Sequence, residues 1–160
     1  MHSRIFQISA NPIEREDYID SLYYDYEHWF TYRIADYVRD SDNRDADIEW
    51  LSNCKNGFTI GKDAHGDYII INSKEEYFAA QFERFKKELE NITRAALDDF
   101  ISGIDLYSLN DANEEKFGFY VEYCHYNGIY DNETITFDQF VRSCGVGVKY
   151  YIGGTVDYHF

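Results

Sequence analysis

Apolar residues recur at intervals of three and four along residues 17–38, which is the spacing of one face of an α-helix. The sequence just before this stretch, Asn11-Pro12-Ile13-Glu14, offers an Asn as the cap, a Pro at the first helical position and a Glu at the third. The apolar positions are Ile19, Leu22, Tyr23, Tyr26, Trp29, Phe30, Ile34, Tyr37 and Val38. This pattern predicts a long amphipathic helix, preceded by a β-strand at residues 3–9.

A second stripe of apolar residues follows Ser73-Lys74-Glu75-Glu76, which has the sequence of a capping box. The stripe consists of Phe78, Phe82, Phe85, Leu89, Ile92, Ala96 and Phe100. The opposite side carries charges of both signs and is expected to be solvated; it consists of Glu83, Lys86, Lys87, Glu90 and Arg94. The sequence therefore predicts a second long amphipathic helix, and a shorter helix around residues 45–53.

Turn residues between runs of strand-forming residues predict three β-hairpins. Residues 58–60 and 68–71 flank a connection at 61–67, alternating residues at 117–126 lead into Asn127-Gly128, and residues 148–152 and 155–160 flank Gly153-Gly154. A further capping box, Thr136-Phe137-Asp138-Gln139, predicts a short helix. Because hairpins pair their strands antiparallel, the predicted fold class is α+β: an antiparallel sheet of hairpins packed by two long amphipathic helices.

The chain of 160 residues is expected to form a single compact domain spanning residues 1–160. No Pro-rich or Gly/Ser-rich stretch divides it. Its first residues show no basic start followed by an apolar run, and no window approaches the ~18 apolar residues of a membrane-spanning helix. Cys54, Cys124 and Cys144 include no CxxC pair, which favours reduced and buried thiols. These features favour a cytoplasmic protein.

The charge of the chain is unusual for a protein with this apolar content. Thirty Asp and Glu against fifteen Lys and Arg give a formal charge of −15, while 44% of the residues are hydrophobic and 19% are aromatic. Because this apolar content is enough for a core, we expect the acidic residues to coat a folded surface. Such a surface attracts basic partners and repels nucleic acids and anionic membranes, so direct binding to either is not expected.

No local pattern specifies a catalytic, metal or cofactor site. An EF-hand loop that began at Asp40 would have Arg44 at its fifth position, Asp45 in place of the turn glycine and Leu51 in place of the bidentate Glu. The five histidines never occur at zinc-ligand spacing, and the phosphate-binding and nucleophile-elbow motifs are absent. Cys124 and His125 would point to opposite faces of a strand, which separates a nucleophile from its base. We therefore expect no metal and no cofactor.

The densest acidic cluster lies just after the first predicted helix, where Arg44 is the only basic residue among five carboxylates. Tyr24 and Tyr32 lie off the predicted apolar stripe and are expected to be exposed. Tyrosine is enriched at the centres of protein interfaces, and acidic neighbours attract Arg and Lys. The predicted partner-binding site consists of Asp40, Asp42, Asp45, Asp47, Glu49, Tyr24 and Tyr32.

The predicted function is that of an acidic, non-enzymatic domain that binds a basic protein surface. In one form of this hypothesis the partner is a nucleic-acid-binding protein, and the carboxylates replace the phosphates of a nucleic acid. In size and acidity the chain is similar to small antirestriction and anti-CRISPR inhibitors, a likeness of bulk properties without a shared motif. The alternative is a small enzyme or ligand-binding domain with a site between sheet and helix; its candidate residues are Glu122, Tyr123, His125 and His159.

Overall fold

The computed structural model describes residues 1–124 and 132–160, which form a seven-stranded sheet and six helices. The strands are β1 (His2–Ser9), β2 (Tyr37–Asp40), β3 (Phe58–Asp63), β4 (Gly66–Ile71), β5 (Tyr120–Cys124), β6 (Asn132–Thr136) and β7 (Lys149–His159). The helices are α1 (Trp29–Arg33), α2 (Arg44–Cys54), α3 (Lys74–Thr93), α4 (Leu97–Ser102), α5 (Tyr107–Asn113) and α6 (Phe137–Ser143). The α+β class predicted from the sequence is confirmed.

The long strand β7 organises the sheet. It pairs antiparallel with β1 along one side, while β4 pairs with its first residues and β2 with its last residues on the other side. The full order is β3-β4-β7-β1-β5-β6, with β2 beside β7. The pairing of β1 with β5 is parallel, so the sheet is mostly antiparallel rather than built from hairpins alone.

Local signals placed several elements correctly. β3 and β4 form the predicted hairpin, although its strands continue to Asp63 and Gly66 and leave a tighter turn than expected. The Ser73 side chain accepts a hydrogen bond from the Glu76 amide at the start of α3, and Thr136 and Gln139 form the predicted capping box of α6. α2 also lies where a short helix was predicted. β5 and β6 are antiparallel, and the predicted Asn127-Gly128 turn lies outside the described residues.

The prediction of a long helix at residues 17–38 is wrong. This stretch contains two 3-10 turns (Arg15–Asp17 and Ser21–Tyr24), the five-residue helix α1 and strand β2. Asp20 accepts a hydrogen bond from the Leu22 amide at 3.0 Å, and Asp25 accepts one from the Glu27 amide at 3.0 Å. These local side-chain acceptors satisfy amides that a continuous helix would need for its own ladder. Residues 13–36 are here called the covering segment. They cross one face of the sheet as two 3-10 turns and the short helix α1.

The predicted hairpin at Gly153-Gly154 is also wrong, because β7 runs through both glycines without a turn. A Cβ atom at Gly154 would lie 2.5 Å from the carbonyl oxygen of Ile19 and 2.9 Å from its amide nitrogen. The glycine thus allows the covering segment to approach the strand closely, a common reason for glycine inside a strand.

Each face of the sheet carries its own apolar core. The larger core lies between the sheet and α2, α3 and α6, and includes Phe6, Ile8, Leu51, Val121 and Phe140. The smaller core lies beneath the covering segment and includes Ile5, Tyr24, Phe30, Val156 and Tyr158. The second predicted helix, α3, ends at Thr93, so Ala96 and Phe100 of its predicted stripe lie beyond it. Two long amphipathic helices are therefore not established.

Candidate functional site

The structure separates the five predicted acidic site residues. Asp40, Asp42 and Asp45 are exposed and line an open cleft of about 650 Å³. Glu49 is exposed on α2 and lines a smaller adjoining depression together with Asp45. Asp47 is only 4% exposed and does not contribute to the cleft. The acidic cleft is lined by charged residues from three parts of the chain: Arg15, Asp20, Asp40, Asp42, Arg44, Asp45, Lys62 and Asp67.

Arg44 forms part of the cleft wall, and the fold already uses its hydrogen-bonding capacity. Its Nε donates to the carbonyl oxygen of Gly153 at 2.5 Å and its Nη2 to that of Ile152 at 2.6 Å. Its Nη1 donates to Asp67 Oδ2 at 2.6 Å. Burial acts to raise the pKa of Asp67, but the Arg44 hydrogen bond and charge outweigh it and hold that pKa below its ordinary value.

Other carboxylates of the cleft are less fully neutralised, although Arg15 and Lys62 also line it. Among the described residues, no salt bridge involves Asp20, Asp40 or Asp42, and Asp45 is 3.5 Å from Arg44 Nη1. Asp40 Oδ1 accepts a hydrogen bond from the Ser21 amide at 2.8 Å, which ties the end of β2 to the covering segment. The cleft therefore presents carboxylate oxygens to solvent beside an arginine that is already bound. Asp20 and Asp67 could not be predicted as members of this site, because both are distant from the acidic cluster in the sequence.

Asp47 has a structural environment that the sequence did not reveal. Arg4 Nε donates to Asp47 Oδ1 at 2.5 Å, and its Nη1 donates to Asp157 Oδ1 at 2.6 Å. The hydroxyl groups of Ser41 and Thr155 both donate to Asp47 Oδ2, the latter at 2.7 Å. A buried carboxylate with this set of partners holds α2 against β1 and β7. Asp47 was predicted as part of an exposed partner-binding site, and its burial contradicts that exposure.

The two predicted tyrosines also differ. Tyr32 on α1 is exposed, as expected, whereas Tyr24 is 3% exposed and belongs to the smaller core. The Tyr24 hydroxyl donates to Glu122 Oε2 at 2.9 Å, and the Tyr23 hydroxyl donates to Glu122 Oε1 at 2.8 Å. Burial raises the pKa of Tyr24 well above its ordinary value, and the negative charge of Glu122 raises it further. Tyr24 is thus an internal anchor and has no surface available for a partner.

The same sheet face contains two buried polar residues that hold the covering segment. Glu122 is 0% exposed and accepts a further hydrogen bond from the Thr134 hydroxyl. Gln7 Nε2 donates to the carbonyl oxygen of Asp17 at 2.9 Å, and its Oε1 accepts from the Ile19 amide at 3.1 Å. These side chains provide hydrogen-bond donors and acceptors to the covering segment, which is not itself a strand of the sheet and so lacks the backbone partners of a neighbouring strand.

The residues proposed for an enzyme site do not come together. Glu122 is paired with Gln7 of β1 and His159 with His2, five residues further along, so they are roughly 16 Å apart at about 3.3 Å per residue. Tyr123 faces the larger core on the opposite side of the sheet from Glu122. His125 lies outside the described residues. Of the cysteines expected to be buried, Cys144 is buried, Cys124 is half-buried and Cys54 is exposed.

Within residues 1–124 and 132–160, no three His, Cys, Asp or Glu side chains are placed to share a metal ion. No helix in the part of the chain that the structure describes is long and apolar enough to cross a membrane. No protein-family model, curated protein or solved structure matches this chain. The acidic cleft is therefore the candidate site on its geometry and charge alone.

Proposed function

We propose that the protein is a non-enzymatic binding domain that holds a basic segment of another protein in the acidic cleft. The observation that supports this function is the group of carboxylates at Asp20, Asp40, Asp42 and Asp45, which line one cleft and, among the described residues, form only the 3.5 Å ion pair of Asp45 with Arg44. The carboxylates of the cleft, with Asp67, outnumber its cations Arg15, Arg44 and Lys62 by five to three. Arg44 does not neutralise them because its guanidinium is committed to Asp67 and two carbonyl oxygens. An arginine or lysine from a partner would supply the missing positive charge.

The surroundings of the cleft favour the same class of partner. Residues 11–49 contain twelve acidic and four basic residues, so the field around the cleft is strongly negative. Such a field accelerates the approach of a basic protein and opposes the approach of nucleic acid. The exposed ring of Tyr32 lies on the covering segment and is retained in the proposed surface, together with Glu49. A partner that normally binds nucleic acid is the most specific form of this proposal.

A binding titration with a charged probe tests the cleft. The probe is a fluorescently labelled arginine-rich peptide, and the variant is Asp42→Asn/Asp45→Asn, because both side chains are exposed. Two exposed ion pairs at about 0.2–1 kcal/mol each correspond to an affinity loss of roughly 2- to 30-fold. The loss should be largely in the association rate at low salt and should shrink as salt rises.

The matched control removes the same charge at a different place. Glu83→Gln/Glu90→Gln changes two exposed carboxylates on α3, and this variant should bind the peptide within about twofold of the wild type. If both double variants weaken binding equally, net charge alone attracts the peptide and the cleft is not its site. Asp47 is left unchanged in this experiment, since its replacement would disturb the bonds to Arg4 and Thr155 that secure α2.

A further inference from the structure

A second surface of the molecule exposes apolar side chains over three consecutive helices. We call it the α3–α5 surface, and its large apolar residues are between 44% and 72% exposed. These residues are Phe82, Leu89, Leu97, Phe100, Ile101, Leu106 and Tyr107. A concentration of exposed large apolar residues is rare on a monomeric protein and marks an interaction site.

The position of α3 explains this exposure. Tyr77 and Phe78, in the first turns of the helix, pack against the larger core. From residue 79 to residue 111 no residue is buried, although the apolar stripe of α3 continues through this stretch. α5 packs beside α3 but leaves the outer part of the stripe uncovered. Among the described residues, the second half of α3 therefore carries an apolar stripe that its neighbours cover only in part.

A groove of about 370 Å³ lies where α3, α5 and α6 meet. Its apolar lining consists of Phe78, Phe82, Phe85 and Ala112. Arg142 closes one end, where its Nη2 donates to the carbonyl oxygen of Asn113 at 2.8 Å and its guanidinium lies 4.7 Å from the centre of the Phe78 ring. The groove offers an aromatic socket for an apolar side chain of a docked segment.

The charge of residues near this surface indicates which kind of partner would bind there. Residues 97–115 contain six acidic residues and no basic residue, namely Asp98, Asp99, Asp105, Asp111, Glu114 and Glu115. Arg84 of α3 lies 3.5 Å from Asp111 and 3.7 Å from Glu115, whereas no salt bridge among the described residues involves Asp98, Asp99 or Asp105. Residues 79–115 together contain nine acidic and four basic residues, so a contact between two copies of this surface would bring two net negative charges together and charge opposes self-association.

We propose that the α3–α5 surface binds an amphipathic helix whose apolar stripe is flanked by lysine or arginine. The apolar side chains of this helix would enter the groove beside Phe82 and cover Leu97 and Phe100, while its cations would face Asp98 and Asp105. This is the helix-in-groove mode of recognition, in which anchors at helical spacing supply most of the affinity. The surface is distinct from the acidic cleft, so this inference does not depend on the function proposed above.

Three labelled peptides test the proposal against the intact chain. The first is a designed helix with leucines at i, i+3, i+4 and i+7 and lysines beside them; the second replaces the lysines with glutamates, and the third replaces the leucines with serines. We expect the first peptide to bind and the other two to bind at least about tenfold more weakly. Failure of the first peptide to bind, or equal binding by the glutamate peptide, would overturn the proposal.

Variants then locate the binding surface. Phe82→Ser should weaken binding of the lysine peptide at least about tenfold, and Asp98→Lys should weaken it about threefold or more. Tyr26→Ser is the matched control, because it also removes an exposed aromatic ring but lies on the covering segment and outside both proposed sites. The control should leave the affinity unchanged, and circular dichroism of all variants checks the fold.

Sedimentation analysis distinguishes binding of an amphipathic helix from binding of a second copy of the chain. We expect the wild-type chain to remain monomeric over the concentrations used in the titrations. A dimer that Phe82→Ser dissociates would show that the surface binds a second copy of the chain, and would overturn the proposal.

Discussion

The covering segment and α3 have the same spacing of apolar residues and take different structures. α3 begins at the Ser73 cap and continues for 20 residues, with ion pairs between Glu83 and Lys86 and between Glu90 and Arg94 along its outer side. In the covering segment, the side chains of Asp20 and His28 instead cap the starts of two separate short helical turns, and Asp25 accepts a hydrogen bond from the Glu27 amide. The spacing of apolar residues therefore indicates that a segment has an apolar face. Whether the segment is one continuous helix depends on side-chain acceptors that compete with the helix for its backbone amides.

The two regions also differ in how they are attached to the rest of the fold. The covering segment buries Tyr24 and Phe30 and is attached to the sheet through Gln7 and Glu122. Over the described residues, the second half of α3 is held to α5 by Arg84, which donates to the carbonyl oxygen of Asp111 at 3.1 Å, and much of its stripe is exposed. One region thus contributes to stability through specific buried bonds, and the other is available for a partner. The following experiments test this difference.

The largest effect is expected at Glu122. Glu122→Ala removes the acceptor of the Tyr24, Tyr23 and Thr134 hydroxyl hydrogen bonds at a fully buried position. Leaving buried donors without a partner should lower the free energy of unfolding by about 3 kcal/mol or more. Urea denaturation measures this loss. Glu49→Ala, at an exposed position on α2, is the control and should change stability by less than about 0.5 kcal/mol.

A smaller effect is expected at Gly154, where the covering segment approaches β7. The added Cβ of Gly154→Ala would meet backbone atoms of Ile19 at 2.5 and 2.9 Å, so the segment must shift. Overpacking of this kind costs about 1–3 kcal/mol.

Gly118→Ala provides the comparison for Gly154→Ala. Its added Cβ would meet Glu115 Oε2 at 2.7 Å, which can rotate away if it leaves Lys55, and Glu115 Cβ at 3.0 Å, so the expected cost is smaller than at Gly154. Both substitutions restrict the unfolded chain equally, so the difference between them isolates the contact with Ile19. Equal stabilities of the two variants would mean that the covering segment moves at no cost.

A pH-dependent effect is expected at His28, the cap of α1. Burial lowers the pKa of His28, although the charges of Glu122 and Asp25 oppose this change. Its Nδ1 also accepts a hydrogen bond from the Phe30 amide, which requires that nitrogen to be unprotonated. As the pH falls from about 7 to about 5, the unfolded chain binds a proton that the folded chain resists, so stability should decrease.

His28→Asn keeps a side chain that can cap α1 and removes the titration. Denaturation curves at several pH values should therefore show a shallower loss of stability in this variant than in the wild type. An unchanged slope in His28→Asn would exclude His28 as the source of the pH dependence.

The smallest effect is expected on the α3–α5 surface. Leu97→Ser replaces a side chain that is 72% exposed, so the free energy of unfolding should stay within about 0.5 kcal/mol of the wild type. Phe140→Ala, on the buried side of α6, should in contrast cost about 3–5 kcal/mol. A loss above about 1 kcal/mol for Leu97→Ser would show that the fold itself covers this surface.

Features that depend on neighbouring residues could be predicted from the sequence. The Ser73 and Thr136 caps, the β3–β4 hairpin and the short helix α2 involve hydrogen bonds between residues close in the chain, and their signals were visible. The candidate site was predicted in part. Asp40, Asp42, Asp45, Glu49 and Tyr32 are exposed as expected, because charged and scattered aromatic side chains outside an apolar pattern usually remain in solvent.

Features that depend on distant residues were decided by the tertiary structure. Asp45 and Asp47 are alike in sequence, but Arg4 and Thr155 bury Asp47 while Asp45 faces the cleft. Gly153-Gly154 has the sequence of a turn, yet the approach of Ile19 requires glycine within a continuous strand. Composition and local spacing therefore determine that this chain has an acidic surface, apolar cores and capped helices. Which carboxylates remain on that surface depends on contacts between residues that are more than a hundred positions apart in the chain, and no local pattern encodes such contacts.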